Sequence, residues 1–100
     1  MARELDSPAH SLALEGTLNV SSIKEQWERA RALLALERGE AEVDLSQVSD
    51  LDEIGIQLLC TLDQILRAKG LTFRVVGVQD EWKASFASLR AAHLHGGGAP

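Results

Sequence analysis

Three short segments of the chain have the pattern of β-strands. Ser11–Glu15 alternates, with Leu12 and Leu14 on one side of the predicted strand. Glu42–Leu45 also alternates, and Leu71–Val76 is rich in residues that favour strands. The sequence therefore predicts three strands, spaced widely enough for a helix to lie between each pair.

Three other segments repeat apolar residues every three or four positions, which is the spacing of one helix face. The first follows Ser22, which with Glu25 three residues later predicts a capping box, and Gly39 is a natural stop. Its apolar positions are Ile23, Trp27, Ala30 and Leu34, widened by Leu33 and Leu36.

The second predicted helix runs from Glu53 to Lys69, and the third begins after Asp80, a plausible N-cap. The apolar positions of these two helices are Leu58, Leu59, Leu62, Ile65 and Leu66, then Trp82, Phe86 and Leu89. We expect both Trp27 and Trp82 to pack in the core; an exposed tryptophan would become a candidate anchor for a partner.

The predicted elements alternate as strand, helix, strand, helix, strand, helix. This order is typical of an α/β fold with parallel neighbouring strands and right-handed crossovers. We expect one domain over residues 10–94, preceded by a loose segment or short strand over 1–9. The glycine-rich segment 95–100 has no packing residues and is expected to be disordered.

Composition narrows the class of protein. The chain has 100 residues, of which 45% are apolar, so it can build one core. Cys60 is the single cysteine, which excludes an internal disulfide and favours a reducing compartment. The start of the chain is too polar for a targeting segment, and no apolar run approaches the roughly 20 residues that span a bilayer. These features predict a cytoplasmic protein without direct membrane insertion.

Charge and aromatic content argue against nucleic acid as a ligand. The formal net charge is −5, and the basic residues form no stripe along which phosphates could bind. Aromatic residues make up 4% of the chain and tyrosine is absent, which weakens any function based on stacking bases or sugars.

Residues with catalytic or ligand-binding chemistry are few. Cys60 lies within a leucine-rich helix face, where a small buried side chain is the simplest interpretation. His10, His93 and His95 lie near the termini, where surface positions in frayed segments are expected, and further metal ligands are missing. No glycine-rich phosphate-binding pattern occurs, so we expect no cofactor.

An acidic cluster around the second helix start is the one candidate for enzyme chemistry. Asp44, Asp50, Asp52 and Glu53 could serve acid–base catalysis or bind Mg²⁺. Acidic residues at a helix start also cap free N–H groups and complement the helix dipole, and we favour that interpretation. A metal-dependent enzyme is kept as an alternative. Gly55 has two open interpretations, namely close approach by a partner or packing of this turn on the sheet.

Taken together, several segments resemble the STAS domain family, which includes anti-sigma-factor antagonists and the C-terminal domains of sulfate transporters. The matching segments are Leu12–Leu18, Val43–Ser49, Asp52 with Gly55–Leu59, Lys69–Leu71 and Val75–Val78. The resemblance implies a small mixed β-sheet with helices mainly on one face, and an N-terminal strand antiparallel to its neighbour. It also implies that the acidic loop at the start of the second helix is the functional surface, with the Thr17–Ser22 loop beside it.

In regulatory members of that family, a serine or threonine between the aspartate and the glycine is phosphorylated. Glu53 and Ile54 occupy those positions here, and neither carries a hydroxyl. The resemblance therefore implies a docking module without the usual phosphoacceptor and with a surface that binds a partner protein. The residues predicted to form this surface are Asn19, Asp50, Asp52, Glu53, Ile54, Gly55, Gln57 and Leu58.

The resemblance leaves the partner open. The first interpretation is an anti-sigma-factor-antagonist-like, non-catalytic regulator that binds an anti-sigma or kinase-like protein. The second is the STAS subunit of a bacterial phospholipid-transport ABC complex, whose partner is the ATPase subunit. Proteins of the chemotaxis-associated branch resemble the Gly55–Leu59 segment equally well. A homodimer, driven by exposed strands or an apolar helix face, is also left open.

Overall fold

The computed structural model describes residues 9–95, which form three strands and three α-helices joined by short turns. The elements in chain order are β1 (Ala9–Leu18), α1 (Ile23–Ala30), a 3₁₀ turn (Arg31–Ala35), β2 (Glu40–Leu51), α2 (Glu53–Ala68), β3 (Thr72–Val76), α3 (Asp80–Ser88) and a second 3₁₀ turn (Ala92–His95). The alternation of strands and helices matches the prediction, and the small α/β fold is confirmed.

The three strands form one sheet with the order β1-β2-β3, and both neighbouring pairs are parallel. Val43 in the central strand lies opposite Leu12 in β1 and Val75 in β3. Because both crossovers advance across the sheet in the same direction, right-handed connections place α1 and α2 on the same face. The parallel strands predicted from the alternation are therefore present, with these two helices on one face.

Within residues 9–95 both strand pairs are parallel, so the antiparallel strand that the resemblance implies is not among the described strands. Periodicity cannot distinguish the two, because both pairings present the same alternating faces. The short strand considered for the residues before Pro8 lies outside the described part of the chain.

One face of the sheet carries the core. The buried side chains of the strands include Leu14, Leu18, Val43, Leu45, Phe73 and Val75, which alternate with polar or exposed positions. The buried face of α2 packs on them through Ile56, Leu58, Leu59, Leu62 and Leu66. Trp82 is 7% exposed and belongs to the same cluster, as predicted.

β2 is much longer than the predicted segment, since it continues from Asp44 to Leu51 beside β1 alone. Its second half is largely polar and exposed, which hides the strand from an apolar pattern. β1 also continues to Leu18, with register shifts between Ala13 and Glu15 and between Gly16 and Thr17. The two extended strands end side by side and carry their loops to a common edge.

The start of α1 differs from the predicted capping box. Ser22 precedes the helix, but it makes no side-chain capping bond. Its hydroxyl instead donates to the carbonyl oxygen of Thr17 at 2.8 Å, across the turn from β1. The helix is also short, because the chain tightens into a 3₁₀ turn from Arg31. The N-cap of α3 is Gln79, and Asp80 is its first residue rather than its cap.

The C-terminal histidines do not lie in a frayed tail. Ala92–His95 forms a 3₁₀ turn whose Leu94 is fully buried. The ring of His95 packs edge-on against Phe86, with 5.1 Å between centroids. His93 is exposed, as expected, and His95 is half-buried. The expected fraying is wrong for both, because the buried Leu94 between them anchors the turn. The predicted disorder of residues 96–100 lies outside the described residues.

Candidate functional site

Two loops meet where β1 and β2 end. Leu18 and Leu51 are the last paired residues of these strands, so the segment after each strand begins at the same edge of the sheet. The Asn19 side-chain amide donates to an Asp50 carboxylate oxygen at 2.8 Å. The backbone N–H of Asp52 donates to the Leu18 carbonyl at 3.3 Å. The expected neighbourhood of the Thr17–Ser22 loop and the acidic turn is present.

Asp52 holds both loops in place. Its Oδ1 accepts a hydrogen bond from the Gly55 backbone N–H at 3.1 Å, which confirms the predicted N-cap of α2. Its Oδ2 accepts from the Val20 backbone N–H at 3.1 Å, which sequence reasoning did not foresee. Since both carboxylate oxygens are occupied, Asp52 acts as a structural clip between the β1–α1 loop and the start of α2.

Asn19 orders the β1–α1 loop from within. Its side-chain oxygen accepts from the backbone N–H groups of Ser21 at 3.0 Å and Ser22 at 3.3 Å. This arrangement is an Asx-type turn, in which an asparagine side chain replaces a backbone acceptor. Together with the bond to Asp50, it ties the loop to the end of β2.

Gln26 is a structural residue that sequence reasoning missed. It is 4% exposed, and its side-chain amide donates to the carbonyls of Glu15 at 2.9 Å and Thr17 at 2.6 Å. These carbonyls flank Gly16, where the register of β1 against β2 shifts. The available signal was its position four residues before Ala30, on the same inward face of α1.

Gly55 is buried, and its close neighbour belongs to its own chain. A Cβ atom at this position would lie 2.2 Å from the Leu18 carbonyl oxygen and 2.9 Å from Leu51 Cδ1. Of the two interpretations, packing of this turn on the sheet is therefore the one that the structure shows. Gly55 lets the first turn of α2 approach β1, and it presents no exposed surface of its own.

An apolar groove runs between α1 and α2 directly beside these loops. Its volume is about 330 Å³, and its lining residues are Ile23, Trp27, Ile54, Gln57, Leu58 and Thr61. Trp27 was predicted to be a core residue, yet it is half-buried and forms part of the groove wall. Val20, in the adjoining loop, is 65% exposed, the one large hydrophobic residue so exposed in the described chain.

The predicted surface residues divide into three groups. Asp50, Glu53 and Gln57 are exposed, while Asn19, Asp52 and Ile54 are half-buried. Gly55 and Leu58 are buried, although Leu58 still lines the groove. The structure therefore brings the set together around the start of α2, with the buried members supporting the exposed ones.

The acidic residues are not arranged as a metal site. Asp44 lies apart from the turn, where its Oδ1 accepts from the Ser46 backbone N–H at 2.8 Å. Asp50 is bonded to Asn19, and Asp52 caps α2. Within residues 9–95, no three His, Cys, Asp or Glu side chains converge as metal ligands. The geometry thus gives the Mg²⁺ alternative no support in this part of the chain.

Cys60 lies on α2 between the groove residues Leu58 and Thr61 in sequence, and it is half-buried. Burial, together with the nearby Asp63 carboxylate, raises the pKa of its thiol. A thiol with a raised pKa is poorly nucleophilic, because the thiolate is the reactive form. This environment is that of a packing residue, in agreement with the sequence interpretation.

Comparison with known proteins places this architecture. The family model described as "Mlab, STAS domain" matches residues 1–96 of the chain. The chain belongs to the STAS domain family. STAS domains are modules of regulatory or transporter-associated proteins; they mediate protein interactions and are generally non-catalytic.

Solved structures show the same fold at low sequence identity. A sulfate transporter family protein from Wolinella succinogenes has a TM-score of 0.69 and 13% identity, covering 87% of this chain and 72% of that one. The SulP transporter STAS domain from Vibrio cholerae has a TM-score of 0.65 and 19% identity, with coverages of 88% and 68%. A comparison with curated proteins gave no match. In residues 9–95 of the present STAS domain, no helix has the length and apolar character needed to cross a membrane.

Proposed function

We propose that this STAS domain is a non-catalytic docking module that binds a partner protein over the α1/α2 groove and the adjoining acidic turn. The observation that carries the proposal is the groove itself, an apolar depression of about 330 Å³ between two helices. Exposed apolar surface beside polar residues is characteristic of interaction sites. Trp27 forms part of the groove wall, and Val20 in the β1–α1 loop is exposed.

The loops around the groove are organised before any partner binds. Asp52 ties the Val20 backbone to the first turn of α2, and Asn19 bonds to Asp50. A surface that is already ordered loses less conformational entropy on association. This preorganisation supports a binding function for the loops.

The docking site lacks the hydroxyl that would make it a phosphorylation switch. Glu53 is exposed as the first residue of α2, and the next residue, Ile54, lines the groove. Thr61 is the nearest groove hydroxyl, but it lies two turns along α2 and donates to the Gln57 carbonyl at 3.0 Å. In this proposal Glu53 supplies a permanent single charge, against about −1.5 to −2 for a phosphoserine, and binding is constitutive.

A transporter-associated protein is the first candidate partner, in particular the ATPase subunit of a phospholipid-transport complex. The match to the Mlab family model and the transporter origin of the structures with the same fold support this choice. An anti-sigma or kinase-like protein is the second candidate, and it rests on the resemblance to anti-sigma-factor antagonists.

Two substitutions on α2 test the docking surface. Thr61→Arg places a long charged side chain in the groove, whereas Gln64→Arg makes the same kind of change at an exposed position outside it. Tagged wild-type protein and both variants are used to capture partners from native lysate, followed by mass spectrometry. We expect wild type and Gln64→Arg to retain the same partner and Thr61→Arg to lose it, with all three melting at similar temperatures.

The identity of the captured protein separates the two candidates, since an ATPase supports the first and a kinase-like protein supports the second. Equal capture by Thr61→Arg and wild type would contradict the groove as the docking site. With the partner in hand, Glu53→Ala and Glu53→Ser test the permanent charge. Affinities that stay within twofold of wild type in both variants would show that Glu53 does not tune binding.

A further inference from the structure

We infer that the partner segment bound in the groove is an amphipathic helix that carries basic residues at the end next to the start of α2. This inference rests on the proposed docking function and specifies the chemistry of the occupant. It follows from the walls of the groove, from its size and from the charges at one end.

The walls of the groove favour a helix over an extended peptide. Both walls are helices, whose backbone groups are already bonded within α1 and α2, so strand addition is impossible there. The polar side chains of the lining are Gln57 and Thr61, and the Thr61 hydroxyl already donates to the Gln57 carbonyl. A helix satisfies its backbone groups internally, whereas an extended segment would depend on water for its backbone hydrogen bonds.

The size of the groove indicates how such a helix would sit. A volume of about 330 Å³ can take side chains but not a whole helix, so the helix would lie over the groove and insert apolar residues from one face. Trp27 and Leu58 form apolar walls on opposite helices. Val20, whose backbone N–H donates to Asp52 at the start of α2, adds an exposed apolar side chain in the loop that precedes α1.

The charges near the start of α2 predict the sign of the charge at the neighbouring end of the bound helix. Glu53 directly precedes the groove residue Ile54 and is exposed, and Asp50 is exposed in the neighbouring turn. No Lys, Arg or His of residues 9–95 forms an ion pair with either carboxylate, including the exposed Lys24 on α1. With a net charge of −5 on the chain, this end of the groove attracts cations and repels acidic segments.

Two synthetic peptides test the inference directly. Both are fluorescently labelled amphipathic helices of roughly 18 residues, above the ~12–15 residues below which isolated helices are marginal. They share one leucine face and differ at one end, where the first carries lysines and the second glutamates. Binding to the wild-type chain is measured by fluorescence anisotropy at low and at high salt.

We expect the lysine peptide to bind about tenfold more tightly at low salt, and the difference to shrink as salt screens the charges. Glu53→Lys should remove most of that preference. Glu81→Lys is the matched control, because Glu81 is also an exposed glutamate in the first turn of a helix, α3, and lies outside the groove. Thr61→Arg should weaken both peptides.

Equal affinities of the two peptides for wild type, or an unchanged preference for the lysine peptide in Glu53→Lys, would refute the inference that the occupant is basic at one end. Failure of both peptides to bind would overturn the helical occupant. Neither result decides the docking function itself, which is judged by whether Thr61→Arg loses the native partner while Gln64→Arg keeps it. A partner lost from Thr61→Arg, combined with peptides that show no charge preference, would leave docking in place and refute only the inference.

Discussion

Replacing Gly55 with alanine should destabilise the fold, although alanine is the better helix former. The new Cβ atom would lie 2.2 Å from the Leu18 carbonyl oxygen, 2.8 Å from Leu18 Cγ and 2.9 Å from Leu51 Cδ1. The leucine side chains can rotate, but the carbonyl is backbone at the end of β1. The first turn of α2 would therefore have to retreat by roughly 1 Å to restore ordinary contact.

The opposing energies can be compared. Alanine gains at most about 0.5–1 kcal/mol over glycine in a helix, and less in its first turn. Overpacking a well-packed site costs about 1–3 kcal/mol. The retreat also strains the hydrogen bonds from Asp52 N–H to Leu18 and from Val20 N–H to Asp52, each worth about 0.5–1.5 kcal/mol. The cost of the clash exceeds the gain from the higher helix propensity of alanine. We expect the free energy of unfolding to fall by about 2 kcal/mol.

Thermal unfolding followed by circular dichroism measures this loss. For a domain of this size, 1 kcal/mol shifts Tm by about 4–8 °C, so Gly55→Ala should melt about 8–16 °C below wild type. Ala68→Gly, at the exposed end of the same helix, is the control. It exchanges the same two residue types where no clash occurs, and it should lower Tm only slightly. If Gly55→Ala melts at or above the wild-type temperature, the close approach of α2 to β1 does not limit stability.

Three further predictions concern buried or capping groups. Asp52→Ala should lower the free energy of unfolding by about 1–3 kcal/mol, because the cap of α2 and the bond to Val20 both disappear. Asp52→Asn should lower it less. Equal melting temperatures for the two variants would contradict the role of Asp52 in joining the loop to α2. Gln26→Glu should be less stable than Gln26→Met at pH 7, since a carboxylate would face two backbone carbonyls, and the gap should narrow in acid; a constant gap would refute that reasoning. The raised pKa of Cys60 should slow its reaction with disulfide reagents relative to free cysteine. The thiol of Cys60 ionises at lower pH in the unfolded chain than in the folded one, so the folded state should lose stability as the pH becomes alkaline. Cys60→Ala should not show this loss. Identical curves of stability against alkaline pH for wild type and Cys60→Ala would count against the prediction.

The sequence predicted the features that depend on residues close together in the chain. The Asp52 cap spans three residues, and the helix faces repeat every three or four, so both can be recognised locally. The hydrogen bond between Asn19 and Asp50 joins residues 31 positions apart, and no local sequence pattern predicts it. The two loops could be expected to lie together only through the family resemblance.

The sequence predictions were wrong or incomplete where a side chain forms a hydrogen bond to a backbone carbonyl of another secondary-structure element. Ser22 and Glu25 have the spacing of a capping box, but the path of the chain from β1 into α1 offers the Thr17 carbonyl to the serine hydroxyl instead. Gln26 was not predicted to be buried, because glutamine is usually exposed. Two β1 carbonyls next to a register shift accept hydrogen bonds from its buried amide nitrogen.

The proposed docking surface and the stability of the fold share one contact, between α2 and β1. Gly55 sets how closely the first turn of α2 approaches Leu18, and Ile54, the preceding residue, lines the groove. A displacement of roughly 1 Å that relieves the clash at residue 55 would also move Ile54 relative to Trp27 on the opposite wall. Apolar packing at an interface is sensitive to such shifts, because its density matches that of protein interiors. In the proposed docking mode, the glycine would therefore contribute without touching the partner, because it sets how closely α2 approaches β1 beside the groove.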